Sequence, residues 1–327
     1  MIAKPAEQTS LCGYRVVQLL HEAGIPNEVL QFLPGDGAQL GAVLLRDPRV
    51  AGVAFTGSTE TATYINRQLA RRDGPIPVFI AETGGQNVLI ADSSALPEQL
   101  VLDAAYSAFN SAGQRCSALR VLYVQKEIAD RTLSLLTGWM DQLQIGDPMD
   151  LETDVGPVID AESREMLERH IKLTSKSGKL VHQCRPRWAK GRGHYFMPAV
   201  LEINSIRDLP QEVFGPILHV VRYAAEDLNA VIDDINATGY GLTLGIHSRI
   251  ADTAEQIRRR AQVGNVYVNR NMIGAVVGSH PFGGRNLSGT GPKAGGPNYL
   301  PRFATEQTCT INTAAVGGNA SLLTLSR

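Results

Sequence analysis

An α/β fold with parallel strands is what this sequence predicts, on three observations. Short apolar segments alternate with amphipathic ones between residues 9 and 81. The same rhythm returns between residues 97 and 140 and between 218 and 268. The composition, 43% hydrophobic and 19% charged, is that of a globular chain that buries a core. Strands joined through helices need crossover connections, and crossovers pair strands in parallel. The length, 327 residues, fits about two domains at roughly 150 residues each.

The elements follow in order. Leu11, Val16, Leu19, Leu20 and Ala23 fall near helical spacing over residues 9–23, with Gly24 as the stop. Val29–Leu33 reads as a short buried strand, and Gly35–Leu45 as a helix that Asp47-Pro48 ends. Val50–Phe55 is the next strand, and Ser58 or Thr59 caps a helix to Arg71. Pro77–Ala81 closes this half as a strand. Residues 97–112 read as a helix ended by Gly113, Leu119–Val124 as a strand and Lys126–Met140 as a helix. A second unit comprises strands Leu218–Tyr223, Thr243–His247 and Gly264–Val268, with helices Glu226–Asn236 and Ala251–Arg260. From Gly274 on, glycine and proline predict ordered loops. Thr305–Thr313 alternates as a single strand, which needs a partner edge that a second subunit would supply.

Several classes are excluded. Lys and Arg number 31 against 32 Asp and Glu, which gives a net charge of -1 and no basic excess for nucleic acid. No apolar run reaches the roughly 20 residues of a membrane helix. MIAKPAEQTS is not a secretory signal. The cysteines Cys12, Cys116, Cys184 and Cys309 lie far apart and form no CxxC pair, so neither zinc nor a disulfide scaffold is expected. The 7 histidines form no HxxxH pair, and no metal site is assigned. A reducing, cytoplasmic setting is the expectation.

Cys116, in GQRCSALR, sits between a helix and a strand, where a thiolate can be held at a fixed angle. The alternative is a small buried hydrophobe. Glu82, in FIAETGGQN, ends an apolar strand at the edge where α/β proteins place ligands. Burial there would raise its pKa and suit it to general base work, against a solvated turn residue. PGDGAQLG has GxGxxxG spacing, one residue off the dinucleotide fingerprint, and is equally a strand-to-helix turn. FTGST runs a strand into a helix N-terminus, where Gly57, Ser58 and free N–H groups could meet a pyrophosphate or simply cap the helix. Lys4 and Glu7 could hold ribose hydroxyls or be surface charges. EVFGP puts Glu212 and Phe214 on a loop, with core packing of Phe214 the ordinary account. PFGG, with Phe282, is a rigid turn that could wall a pocket.

Taken together, KPAEQTS, PGDG, FTGSTE, ETGGQN, GQRCS, EVFGP, NATGYGLT and PFGG resemble, in order, the motifs of the aldehyde dehydrogenase superfamily. GQRCSALRVLYV, YVNRNMIGAVVG and PFGGRNLSGTGPKAGGPNYL are similar to its L-glutamate γ-semialdehyde (1-pyrroline-5-carboxylate) dehydrogenase branch, in particular to the dehydrogenase half of bifunctional bacterial proline-catabolic proteins. The resemblance implies an aldehyde dehydrogenase fold with an incomplete Rossmann-like sheet in 1–84, a catalytic domain in 85–300 and an oligomerisation strand with its tail in 301–327. It implies NAD as cofactor, Cys116 as nucleophile and Glu82 as general base. Lys4 and Glu7 match adenosine-ribose contacts. Phe55, Thr56, Gly57 and Ser58 match the segment beside the cofactor, and Glu212 and Phe214 the nicotinamide end. Ser117, Gly274 and Ala275 match an anchor for the substrate carboxylate, and Phe282 an aromatic of the aldehyde channel. It implies a homo-oligomer and, in a full-length protein, a proline dehydrogenase part.

The family also has a part preceding KPAEQTS, with a PWNF motif whose asparagine completes the oxyanion hole. The expectation is therefore a fragment whose oxyanion would rest on the Cys116 backbone N–H. Loss of one such donor costs roughly 2.7–4 kcal/mol of transition-state stabilisation. Two rival expectations follow from the same residues: an inactive truncated polypeptide, and a semialdehyde dehydrogenase acting on a different acid.

Overall fold

The computed structural model describes residues 1–185 and 193–312. In the N-terminal part, helices α1 (Ser10–Glu22), α2 (Gly37–Leu44) and α3 (Thr59–Ala70) alternate with strands β1 (Ile2–Ala3), β2 (Gln31–Phe32), β3 (Gly52–Thr56) and β4 (Val78–Glu82). The strands form two separate parallel pairs, β1–β2 and β3–β4. Asp36 caps α2 by accepting from Gln39 N–H at 2.8 Å, and Ser58 caps α3 by accepting from Thr61 N–H at 3.2 Å. In α1 only Val17 is buried. Its other apolar residues, Leu11, Val16 and Leu19 among them, face solvent in the single chain. The helical spacing is there, but the face it creates is uncovered.

The larger part is built from β5 (Val88–Ala91), α4 (Pro97–Phe109), β6 (Val121–Gln125), α5 (Lys126–Met140), α6 (Ala161–Thr174), β7 (Lys179–Gln183), β8 (Ala199–Glu202), β9 (Ile217–Tyr223), α7 (Leu228–Ala237), β10 (Thr243–His247), α8 (Ala251–Arg260) and β11 (Asn265–Val268). They make a 7-stranded sheet in the order β11-β10-β5-β6-β9-β8-β7, parallel except for β7 at one edge. Both faces are covered, so the central strands are continuously apolar rather than alternating. Along β5, Leu89 and Ala91 join the core under α4 and α5, while Val88 and Ile90 join the core under α7 and α8. The crossovers leave the loops at the strand ends free to carry chemistry.

The alternating strands and helices named in the sequence are present, with shifts of a few residues at their ends. Five elements were not among them: β1, β5, α6, β7 and β8. Val88–Ala91 is short and lies between GGQN and ADSS, which read as loops. Helix α6 buries only Leu167, and β7 is a half-exposed edge strand, so neither carries much apolar signal. The helix expected over 97–112 stops at Phe109, because Ser111 (φ 55°), Ala112 (φ 53°) and Gly113 (φ 64°) turn left-handed. The strand expected at Thr305–Thr313 was to pair with a second subunit; in the single chain, residues 305–312 form no strand. Thr313 and the tail to 327 lie outside the described residues. From Gly274 to Asn312 the chain is loop with short 3-10 turns at Asn286–Ser288 and Leu300–Phe303.

Candidate active site

Glu82 ends β4, and the distant C-terminal loop closes over it. Thr290 Oγ1 accepts from Ala81 N–H at 3.0 Å, and Thr290 N–H donates to Ala81 O at 3.0 Å. Thr83 N–H donates to Ser288 O at 3.1 Å. The PFGG turn then lies directly on the carboxylate: Gly284 N–H donates to Glu82 Oε2 at 3.0 Å. A Cβ on Gly283 would stand 2.8 Å from Glu82 Oε1, so only glycine allows this approach. Oε1 itself is buried and has no hydrogen-bond partner among the described residues. Burial raises the Glu82 pKa to about 7, against the opposing pull of the Gly284 N–H and of Lys293.

Cys116 lies on the tight turn between α4 and β6, half-buried. The buried Asn87 fixes that turn. Its Nδ2 donates to Cys116 O at 2.6 Å and to Ala118 O at 2.9 Å, while its Oδ1 accepts from Thr243 N–H at 3.1 Å. Asn87 belongs to the same ETGGQN segment as Glu82, so one stretch of chain sets both groups. Burial pushes the Cys116 thiol up, and the carboxylates of Glu212 and Glu82 add to this, while the Ser117 N–H pulls the other way. The resting sulfur is therefore a thiol that must be deprotonated on demand.

The EVFGP loop is fixed by a residue that the sequence left unassigned. Arg120 is 1% exposed and spends its donors on two loops. It meets Glu212 Oε1 from Nη2 at 3.0 Å and from Nε at 3.2 Å. It also donates to Gly113 O at 2.6 Å, Arg115 O at 3.0 Å and Gly215 O at 3.3 Å. Phe214 does not pack into the core as its apolar ring suggested. It is 39% exposed, with the Arg120 guanidinium 4.9 Å from its ring centre. The one signal in the sequence was an arginine entering an otherwise apolar strand, ALRVLYV, which demands a buried partner.

Gly84 completes this arrangement. A Cβ there would overlap Oε2 of Glu212, a carboxylate whose other oxygen, Oε1, is held by Arg120. Gly84→Ala is expected to lower the unfolding free energy by about 1–3 kcal/mol in a denaturant titration. Unchanged stability would mean that Glu212 does not rest on that turn.

The remaining residues form two groups. Lys4 Nζ meets Glu7 Oε1 at 3.1 Å, and the same oxygen accepts from Gly37 N–H at 2.7 Å, so KPAEQ and PGDG come together. Phe55 and Thr56 end β3, and Gly57 N–H donates to Glu82 O at 3.2 Å, which seats FTGST beside β4. Ser58 is occupied as the α3 cap. On the other side, Ser117 is buried, and its carbonyl accepts from Thr243 Oγ1 at 3.4 Å. Gly274 (φ 103°) and Ala275 lie on an exposed turn, with no hydrogen bond to Ser117 among the described residues. Phe282 pairs with Ala294 in an isolated bridge.

Residues 1–309 match the aldehyde dehydrogenase family. The chain is 54% identical over 315 residues to the bifunctional protein PutA of Klebsiella aerogenes, covering 94% of this chain and 24% of that protein. It superposes with a TM-score of 0.92 and 57% identity on a variant of proline utilization A (PutA) from Bradyrhizobium japonicum, over 97% of this chain and 32% of that one. With 1-pyrroline-5-carboxylate dehydrogenase from Thermus, solved with bound NAD, the TM-score is 0.86 and the identity 35%, over 92% of this chain and 58% of that one. The chain thus spans only part of the length of these relatives.

Proposed function

The chain belongs to the aldehyde dehydrogenase family, and on that premise we propose that it oxidises L-glutamate γ-semialdehyde to L-glutamate with NAD, in proline catabolism. It would be the dehydrogenase part of a longer cytoplasmic protein that also carries a proline dehydrogenase part, and would assemble with copies of itself. The observation that carries the reading is the pairing of a cysteine held on a tight turn by Asn87 with a half-buried carboxylate, one oxygen of which is bonded and the other free.

The residues present suit NAD. Lys4 and Glu7 stand at the Gly37 turn as a cation–carboxylate pair for ribose hydroxyls. FTGST leads into the capped N-terminus of α3, where N–H groups and the helix dipole favour pyrophosphate. Glu212 and Phe214 lie on the loop that Arg120 ties to the cysteine turn. Bound NAD supplies the hydride acceptor. Ser117, Gly274 and Ala275 would hold the substrate carboxylate, with Phe282 lining the approach.

Glu82 first takes the thiol proton of Cys116. The thiolate then adds to the aldehyde carbon, forming a C–S bond as the C=O π pair moves onto oxygen, and Glu82 passes its proton to solvent. Loss of hydride from that carbon leaves a thioester. Glu82, again deprotonated, takes a proton from water, the hydroxide attacks the thioester carbon, and the C–S bond breaks to release the acid and return the thiolate.

The test is NADH formation by this chain with glutamate γ-semialdehyde, beside a panel of other semialdehydes. Turnover should rise with pH through about 7, as Glu82 loses its proton. Glu82→Gln should slow turnover by about 10²–10⁴ in steady-state NADH formation, because both thiol deprotonation and acyl release lose their base. The fold raises the Glu82 pKa, so its contribution to stability is present below the ordinary carboxylate range and is lost as pH rises through about 7. Glu82→Gln should therefore gain unfolding temperature over the parent at pH 8, and not at pH 4. A panel in which glutamate γ-semialdehyde is no better than the others would overturn the substrate assignment.

A further inference from the structure

We propose that Lys293 is a positioning residue that acts on Glu82 through a single peptide group. This inference rests on Glu82 being the base proposed above. Lys293 Nζ donates to the carbonyl oxygen of Gly283. The N–H on the other side of that same peptide bond, that of Gly284, donates to Glu82 Oε2 at 3.0 Å. A trans peptide is planar, and its C=O and N–H point in opposite directions. The ammonium and the carboxylate therefore sit at the two ends of one peptide dipole. A cation on the oxygen polarises the group and strengthens the N–H as a donor to an anion.

The surroundings hold this line of groups in place. Lys293 Nζ fills space beside Gly264 that a Cβ there would take. Asn265 fixes the turn from its other side: its Oδ1 accepts from Gly283 N–H at 3.2 Å, and its Nδ2 donates to Pro281 O at 2.9 Å. Gly283 is thus bonded at both backbone groups, and Gly284 N–H has Glu82 as its acceptor. The charged and titratable groups that face Glu82 are Lys293 from the C-terminal loop and Cys116 from the turn after α4, and Arg285 faces Lys293. Lys293 is the cation of this set that favours the carboxylate, and Cys116 titrates above it. Burial would otherwise keep Glu82 protonated further into the working pH range. Lys293 and the Gly284 N–H oppose that shift.

The experiment titrates Glu82 directly. The infrared band of the protonated carboxyl, assigned by subtracting Glu82→Gln, is followed against pH in the parent chain and in Lys293→Gln, Lys293→Met and Lys293→Arg. Lys293→Gln keeps a donor for Gly283 O and removes the charge, so it carries the test even if Lys293→Met fails to fold. The band midpoint should move up by about one pH unit in the neutral variants and stay near that of the parent in Lys293→Arg. The rise of turnover with pH should move by the same amount, with KM for the aldehyde little changed. A moved midpoint in a chain without turnover supports the relay and sinks the proposed function. An unmoved midpoint in an active Lys293→Gln enzyme overturns the relay and leaves the function standing.

Discussion

Cys116→Ala is expected to abolish NADH formation, with a loss on the order of 10⁶ in rate. No other described cysteine can take its place: Cys12 and Cys309 are exposed, and Cys184 is buried under α5. The substitution removes one sulfur from a half-buried turn, and the hydrogen bonds of that turn come from the backbone and Asn87. Thermal unfolding should therefore stay close to that of the parent. The resting sulfur is a thiol, so alkylation of Cys116 by iodoacetamide should be slow at neutral pH and speed up in alkali. A Cys116→Ala chain that still turns over would remove the covalent mechanism altogether.

Arg120→Met carries the second large effect. It takes the guanidinium from a site 1% exposed and leaves Glu212 and the carbonyls of Gly113, Arg115 and Gly215 without their donor. Breaking a buried ion pair from one side costs about 3–5 kcal/mol. Arg120→Lys should recover little, because one ammonium cannot span Glu212 and three carbonyls at once. In the double variant Arg120→Met with Glu212→Gln, part of the loss should return, since the stranded charge is gone. Denaturant unfolding measures all three. An Arg120→Met protein within about 1 kcal/mol of the parent would show that the pair contributes nothing net.

How far the sequence could be read depended on how local the signal was. β3, β4, α3, β10 and α8 follow from periodicity and caps that sit within a few residues of one another. Cys116 and Glu82 were marked by where they stand, at the ends of elements, and their motifs in order carried the family. The Arg120–Glu212 pair spans 92 positions, and no local pattern announces which carboxylate answers a buried arginine. Lys293 lay unremarked in a glycine-rich run, because its role depends on a peptide group ten residues earlier. Helix α1 shows another limit: spacing tells that a face is apolar, not what covers it. Phe214 shows the reverse, an aromatic whose partner is a cation and not the core. The strand expected at 305–313 depends on an edge from a second subunit, since a strand is defined by a pair of segments, and residues 305–312 form none in the single chain.

The closure of the C-terminal loop over β4 orders events in time. Glu82 and Gly284 are 202 positions apart, and Ala81 and Thr290 are 209 apart. A ribosome adding about 5–20 residues per second needs about 10–40 s to cross that interval. For most of that time the thiol and the carboxylate are both in the nascent chain, while the turn that seats the carboxylate is not yet translated. A message that stops between Cys116 and Gly284 yields a product with both reactive side chains and without the turn that seats the carboxylate.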